Sequence, residues 1–236
     1  ADKRNAFTQA MWLKFPQLLA EAMGNDSVKA LVLRSAEAGV FCAGADIKEF
    51  GEGAMDPAWR AANQGAISRA QIELARAEKP VIVAVDGDCV GGGCGLAIAG
   101  DIRITSSRSR FGITPAKLGL VYSLHDTKLL IDLVGPAQAK RILFTAQLLP
   151  AAEAQRIGLV EIIDEDPVAA AQAMAETMAS VSPHSIRNSK KIIRSILDGQ
   201  AEDDAATEAL FGDAFTSADF QEGVSAFLEK RKPNFA

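Results

Sequence analysis

Tyrosine occurs once in these 236 residues, at Tyr122, and histidine twice, at His125 and His184. Cysteine occurs three times, as Cys42, Cys89 and Cys94, and no Cys/His spacing resembles a zinc site, so no protein-bound metal is expected. An odd number of thiols in apolar settings fits a reducing cytoplasm better than a disulfide framework. No apolar run approaches the ~20 residues of a membrane span, and no signal-peptide pattern is visible, so no membrane partner is expected. A basic block is also missing. The net charge is −5, which argues against nucleic acid as the main partner. Neither G-x-x-x-x-G-K-[ST] nor an in-register G-x-G-x-x-G occurs, which argues against nucleotide binding of those kinds. The absence of G-x-S-x-G leaves no recognisable Ser/His/Asp triad.

What is present describes an ordinary globular chain, 48% hydrophobic and 23% charged, large enough for one or two domains with a sizeable core. "TQAMWLKFPQLLAEAMGN" has helical apolar spacing and a Gly-Asn stop. "VKALVLRS" and "KPVIVAV" read as buried strands, and "DIRITS" as a third. Residues 57–78 predict a long helix with Pro57 near its start. "SRSRFGITPAKLGLVYS" reads as irregular. Helices follow at 124–134, 137–144 and 151–157, then a short strand in "GLVEIID". Beyond Pro167 strands vanish, and Ser182 with Pro183 predicts a helix start. The pattern is an α/β core over residues 1–165 and a helical region over 166–236.

The most informative stretch is "GDCVGGGCGLAIAGD", residues 87–101. Glycine costs a helix interior roughly 1 kcal/mol relative to Ala, yet three stand together at the mouth of a helix-like segment. The first amides of a helix have no intrahelical acceptor and favour an anion. Gly91, Gly92 and Gly93 therefore read as a device for exposing peptide N–H groups. The alternative is a tight crossing where bulk is forbidden. "FCAGADIKEF" repeats the arrangement, with Gly44 at its turn and peptide groups near Ala43 and Ala45 exposed.

"KRNAFTQAM", "FCAGADIKEF", "GGGCGLAIAGDIRI", "FGITPAKLG", "AQRIGLVEII" and "FQEGVSAFLEKRKPNF" together resemble the crotonase (enoyl-CoA hydratase/isomerase) superfamily, in order and over nearly the whole chain. The resemblance implies an α/β crotonase fold: a spiral core of ββα units and a C-terminal helical region used in a homotrimer or dimer of trimers. It also implies a strand ahead of the "KRNA" motif, outside this sequence. An acyl-CoA thioester is the implied substrate, with coenzyme A as part of it and no permanently bound cofactor. The implied oxyanion donors are the amides of Ala45 and Gly92, which suit an enolate because main-chain dipoles do not titrate. Contacts to CoA would come from Ala43, Asp46, Ile47 and Gly91, with Lys3, Arg4 and Lys230 near phosphate. Those cations read equally as a solvated face.

The family's hydratases place two glutamates where this chain has Gly95 and Pro115, and neither residue has a proton to move. "TPAKLGLVYS" is similar to the corresponding stretch of the superfamily's methylmalonyl-CoA decarboxylases, which carry a tyrosine where Tyr122 stands. The resemblance departs from them at Ala45, often His there, and at Gly95, Glu there. It implies decarboxylase-like lyase or isomerase chemistry, with Tyr122 binding a carboxylate or supplying a proton. The alternative for Tyr122 is a packed ring with its hydroxyl satisfied. His125 is a candidate proton donor or base, and Asp126 a candidate helix-start charge; both are expected as a surface cap if not catalytic. A hydratase that places water with other groups, and a non-catalytic binder of CoA esters, remain the competing functions. Cys94 is expected to be an inert buried thiol.

Overall fold

The computed structural model describes residues 3–235. Its core is a spiral in which each turn of chain supplies one strand to each of two sheets. Helix α1 (Gln9–Met23) comes first, capped by Thr8 and closed by Gly24, as its spacing predicts. Strands β1 (Leu31–Arg34) and β2 (Val40–Cys42) follow, then helices α2 (Ile47–Gly53) and α3 (Pro57–Ala75). The next turn gives β3 (Val81–Val85), β4 (Asp88–Val90) and α4 (Gly92–Ala99). The third gives β5 (Ile102–Thr105), β6 (Arg110–Gly112), a 3-10 turn (Pro115–Leu118) and α5 (Leu124–Thr145). The spiral ends with β7 (Leu149–Pro150), α6 (Ala151–Arg156) and β8 (Ile162–Ile163). One sheet runs β1-β3-β5-β8 and the other β2-β4-β6-β7, parallel except for β7.

β3 is buried at all five positions because it is central in its sheet. β1, expected to be fully buried, is only half-buried because it takes the sheet's edge. The short strand β4 stands between β3 and the glycine run. The long helix predicted at 124–144 in two pieces is α5, with a break at Gly135 (φ 73°) before Pro136.

Helix α4 is apolar all round and buried along its length, except for Gly92 at its start. Its carboxyl end is held by Arg103, whose guanidinium donates to the Gly100 carbonyl at 2.8 Å and to Leu159 at 3.0 Å and pairs with Glu161. A cation there complements the helix dipole. Four further helices complete the chain: α7 (Pro167–Ala179), α8 (Pro183–Leu197), α9 (Ala205–Ala214) and α10 (Ala218–Glu229). Ser182 caps α8, as predicted. α7, which sequence grouped with the tail, packs on the first sheet, its Ala171 clustered with Ile82, Ala84 and Ile104. Among the described residues no helix is long and apolar enough to cross a membrane.

Candidate active site at two apposed turns

The turns after β2 and β4 press against each other. Gly44 (φ +95°) and Gly91 (φ +55°) both take backbone conformations that side chains other than glycine's rarely adopt. A Cβ on Gly44 would stand 3.0 Å from the Val90 carbonyl and 3.2 Å from the Gly92 nitrogen. A Cβ on Gly92 would stand 3.8 Å from the Ala45 nitrogen. Nitrogen and Cβ of one residue are about 2.5 Å apart, so the Ala45 and Gly92 nitrogens are separated by at most about 6.3 Å. One oxygen can therefore lie about 3 Å from both.

Both amides are available. Phe7 bridges to the chain on either side of Ala45, donating to Gly44 O at 2.8 Å and accepting from Asp46 N at 2.9 Å. That pairing leaves the Ala45 N–H on the other edge. Gly92 is the first residue of α4, whose opening amides have no intrahelical acceptor. Among the described residues neither amide donates to a protein acceptor. Two fixed main-chain dipoles, that of Gly92 at the start of α4, can stabilise a developing oxyanion.

Side chains build the facing wall. A Cβ on Gly95, one turn along α4, would stand 1.9 Å from the Gln71 side-chain amide and 3.3 Å from the Tyr122 hydroxyl. Glutamine from α3 thus fills the slot that a side chain at 95 would need. With its amide oriented to satisfy both groups, Gln71 donates to the two oxygens of Asp126 at 3.0 and 2.8 Å. His125 Nδ1 lies 3.1 Å from the same carboxylate. Asp126 is not the surface cap expected from sequence. It is 4% exposed, and Ser123 caps α5 by accepting from the Asp126 amide at 3.0 Å. His125 keeps a quarter of its side chain exposed, so it joins the buried acid to the surface.

The Tyr122 hydroxyl is buried without a hydrogen-bond partner. Burial, reinforced by the Asp126 charge, pushes the phenol well above its usual range, so it stays protonated. The Trp12 indole N–H is also buried and unpaired, and a Cβ on Gly92 would lie 2.9 Å from that ring. Burial pushes the Cys42 thiol up to about 11 and holds Cys89 well above its usual value, so neither offers a thiolate at neutral pH. Cys94 is fully buried on α4.

Lys3, Arg4, Ala43, Asp46 and Ile47 gather at one end of the β2 turn. Lys3 pairs with Asp46, and Arg4 with Asp88, which also binds Arg110 at 2.8 Å. Asp46 caps α2 through the amides of Lys48 and Glu49, and the Lys3 ammonium holds its carboxyl below the ordinary aspartate value. The Ala43 amide is already used, donating to Arg4 O at 3.1 Å. Ile47 is 60% exposed. Pro115 opens the 3-10 turn leading to Tyr122. Lys230 ends α10, and among the described residues no hydrogen bond or ion pair joins it to either turn. Sequence reasoning missed Gln71 and Trp12. The available signal for Gln71 was a polar residue on the Ala66, Ala70 and Leu74 face of α3.

Comparison with known proteins agrees with this architecture. The Enoyl-CoA hydratase/isomerase family model matches residues 1–236. The short-chain-enoyl-CoA hydratase of Clostridium acetobutylicum is 35% identical over 97% of this chain and 88% of its own length. The 1,2-epoxyphenylacetyl-CoA isomerase of Escherichia coli is 32% identical over 99% of this chain and 91% of its own. An enoyl-CoA hydratase/isomerase family protein of Hyphomonas neptunium superposes with a TM-score of 0.97 at 40% identity, covering 100% of this chain and 90% of that one. The chain belongs to the enoyl-CoA hydratase/isomerase family and has the crotonase fold.

Proposed function

We propose that this protein binds an acyl-CoA thioester, seats the thioester oxygen between the amides of Ala45 and Gly92, and works through the enolate. The step is of the lyase or isomerase kind, decarboxylation among them, in preference to two-acid hydration. The observation that supports this reading most directly is the apposition of the Gly44 and Gly91 turns, whose Ala45 and Gly92 amides have no protein acceptor among the described residues. Against two-acid hydration stands the other wall. Position 95 has no carboxylate, and the Gln71 side-chain amide stands where one would begin; position 115 is proline. Hydration stays the second reading because the similar Clostridium protein is a hydratase; Asp126 with His125 would then place the water.

CoA itself would lie along Ala43, Asp46, Ile47 and Gly91, with Lys3, Arg4 and Lys230 toward phosphate. A homotrimer, or a dimer of trimers, would cover the exposed Phe144, Phe211 and Phe227, which are 78%, 71% and 83% exposed in the single chain.

The test is turnover of three thioesters by the purified protein: a malonyl-type CoA ester, a 3-enoyl-CoA and crotonyl-CoA. Turnover of either of the first two above hydration of the third is the expected result. Hydration of crotonyl-CoA as the fastest reaction would replace this reading with the second. Micromolar binding with no turnover of any would make the protein a binder only.

A further inference from the structure

We infer that Asp126 is the proton-transferring group of this site, oriented by Gln71 in the space beside Gly95 and linked to solvent by His125, and that the acyl group it serves is uncharged. The inference rests on the proposed seating of the thioester oxygen between Ala45 and Gly92.

Three elements bring these groups together. Gly95 lies three residues beyond Gly92, about 4.5 Å along α4. The Gln71 amide occupies the position a Cβ at 95 would take, and its N–H groups bind both oxygens of Asp126 at 3.0 and 2.8 Å. The carboxylate is thereby fixed in direction, and its nearby ionisable neighbours are His125 at 3.1 Å and the Tyr122 phenol. Burying an acid with a neutral amide and an imidazole, and no Lys or Arg, is unfavourable for folding. A carboxylate held in one direction at the wall facing the two amides is suited to take a proton from carbon. The side chain of Asp126 is 5% exposed and that of His125 25%, so a proton taken inside has a path out.

The step balances within the site. Asp126 takes a proton from the acyl α-carbon: the C–H bond breaks and an O–H bond forms on the carboxyl group. The electron pair becomes the carbon–carbon double bond of the enolate, and the carbonyl π pair moves to the oxygen held by the two amides. Return of the proton to the α- or γ-carbon regenerates the carboxylate, and no other reactant is consumed. A malonyl-type carboxylate entering beside Asp126 would meet like charge in a poorly solvated space. This narrows the lyase-or-isomerase choice to proton transfer on a neutral acyl chain.

The experiment uses butyryl-CoA in D2O, with deuterium entry at the α-carbon followed by mass spectrometry and binding measured separately. The native protein should bind butyryl-CoA and exchange its α-hydrogens. D126N should bind with unchanged affinity and exchange about 100-fold or more slowly. Exchange by D126N at the native rate overturns the inference, as does binding by the native protein without exchange. Failure of the native protein to bind butyryl-CoA would instead remove the thioester reading, and this inference with it. Q71L tests orientation and decides the matter should D126N not fold. Losing the amide donors frees the carboxylate to turn, so the maximal exchange rate should fall at least about 10-fold while half-saturation by butyryl-CoA stays unchanged. The titratable groups facing that carboxylate are His125 and Tyr122, with Cys89 and Cys94 beyond the phenol. A native exchange rate in Q71L, or loss of rate and binding together, would make Gln71 structural and overturn its part.

Discussion

The turns at Gly44 and Gly91 hold one side of the site with peptide groups, whereas Gln71, Tyr122 and Asp126 hold the other with side chains from α3, the loop before α5, and α5. The first side depends on two positive-φ glycines and on β2 and β4 lying side by side. It carries no titratable group of its own, so pH reaches it only through what anchors the turns. The second side depends on packing between helices that both rest on α4. Its groups include an acid, an imidazole and a phenol whose protonation can change. On the proposed reading, electrostatic stabilisation falls to the main chain and proton movement to the side chains.

Breaking the main-chain side should have the largest effect. Gly44→Ala forces a Cβ to within 3.0 Å of Val90 O and 3.2 Å of the Gly92 nitrogen, at a φ that alanine adopts only under strain. The two amides must then separate. Loss of one oxyanion donor is worth about 10²–10³ in rate, or roughly 3–4 kcal/mol of transition-state stabilisation. We expect kcat/KM for the accepted acyl-CoA to fall by about that factor, while a thermal melt shows the protein still folded. An unchanged kcat/KM would mean that these turns are packing devices only.

Adding an acid to the side-chain wall comes next. Gly95→Glu introduces a Cβ 1.9 Å from the Gln71 amide, inside a fully buried region. Overpacking of this kind costs about 1–3 kcal/mol. Trimming the obstacle with Gln71→Ala in the same chain should recover about half of the loss, so that the two changes are non-additive in urea melts. Additive losses would show that Gln71 does not occupy the slot in solution.

Tyr122→Phe has a smaller effect of opposite sign. Among the described residues the hydroxyl makes no hydrogen bond, so its removal sacrifices none and relieves a buried polar group. Stability should rise by up to about 1 kcal/mol, read as an upward shift in Tm. Turnover should fall if the phenol acts on substrate. A lower Tm would reveal a partner for the hydroxyl.

The same division decided what could be read from residues alone. Helix α1, strand β3 and the Ser182 cap have long or well-punctuated patterns. The glycines marking both turns were visible because each must avoid a side chain. Strands β2, β4 and β6 have three residues apiece, too few to show a period, so the second sheet went unread although it carries the turns. Tyr122 and His125 stood out through scarcity. The bond from Gln71 to Asp126 joins helices distant in sequence, and local pattern holds no trace of that meeting. Asp126 looked like a surface charge because an acid in the first turn of a helix commonly is one. Tertiary packing turned it inward.

The smallest effect would show whether the peptide side responds to acid through its anchor. Asp46 follows Ala45, caps α2 and binds Lys3, and the nearby ammonium is the main reason its carboxyl lies below the usual aspartate value. A lowered folded-state pKa means stabilisation is present above the unfolded value, ~3.9, and is lost as pH falls through the folded one. The Ala45 amide should therefore keep its chemical shift, and the Asp46 amide bonded to Phe7 O its hydrogen-exchange protection, from neutrality down to about pH 4. Both should change at lower pH, before global unfolding. In Lys3→Ala the same change should begin at higher pH, because the largest cause of the depression is gone. If the Ala45 resonance titrates identically in both proteins, the pair with Lys3 does not anchor this turn, and the main-chain side owes its position to the bridge with Phe7 instead.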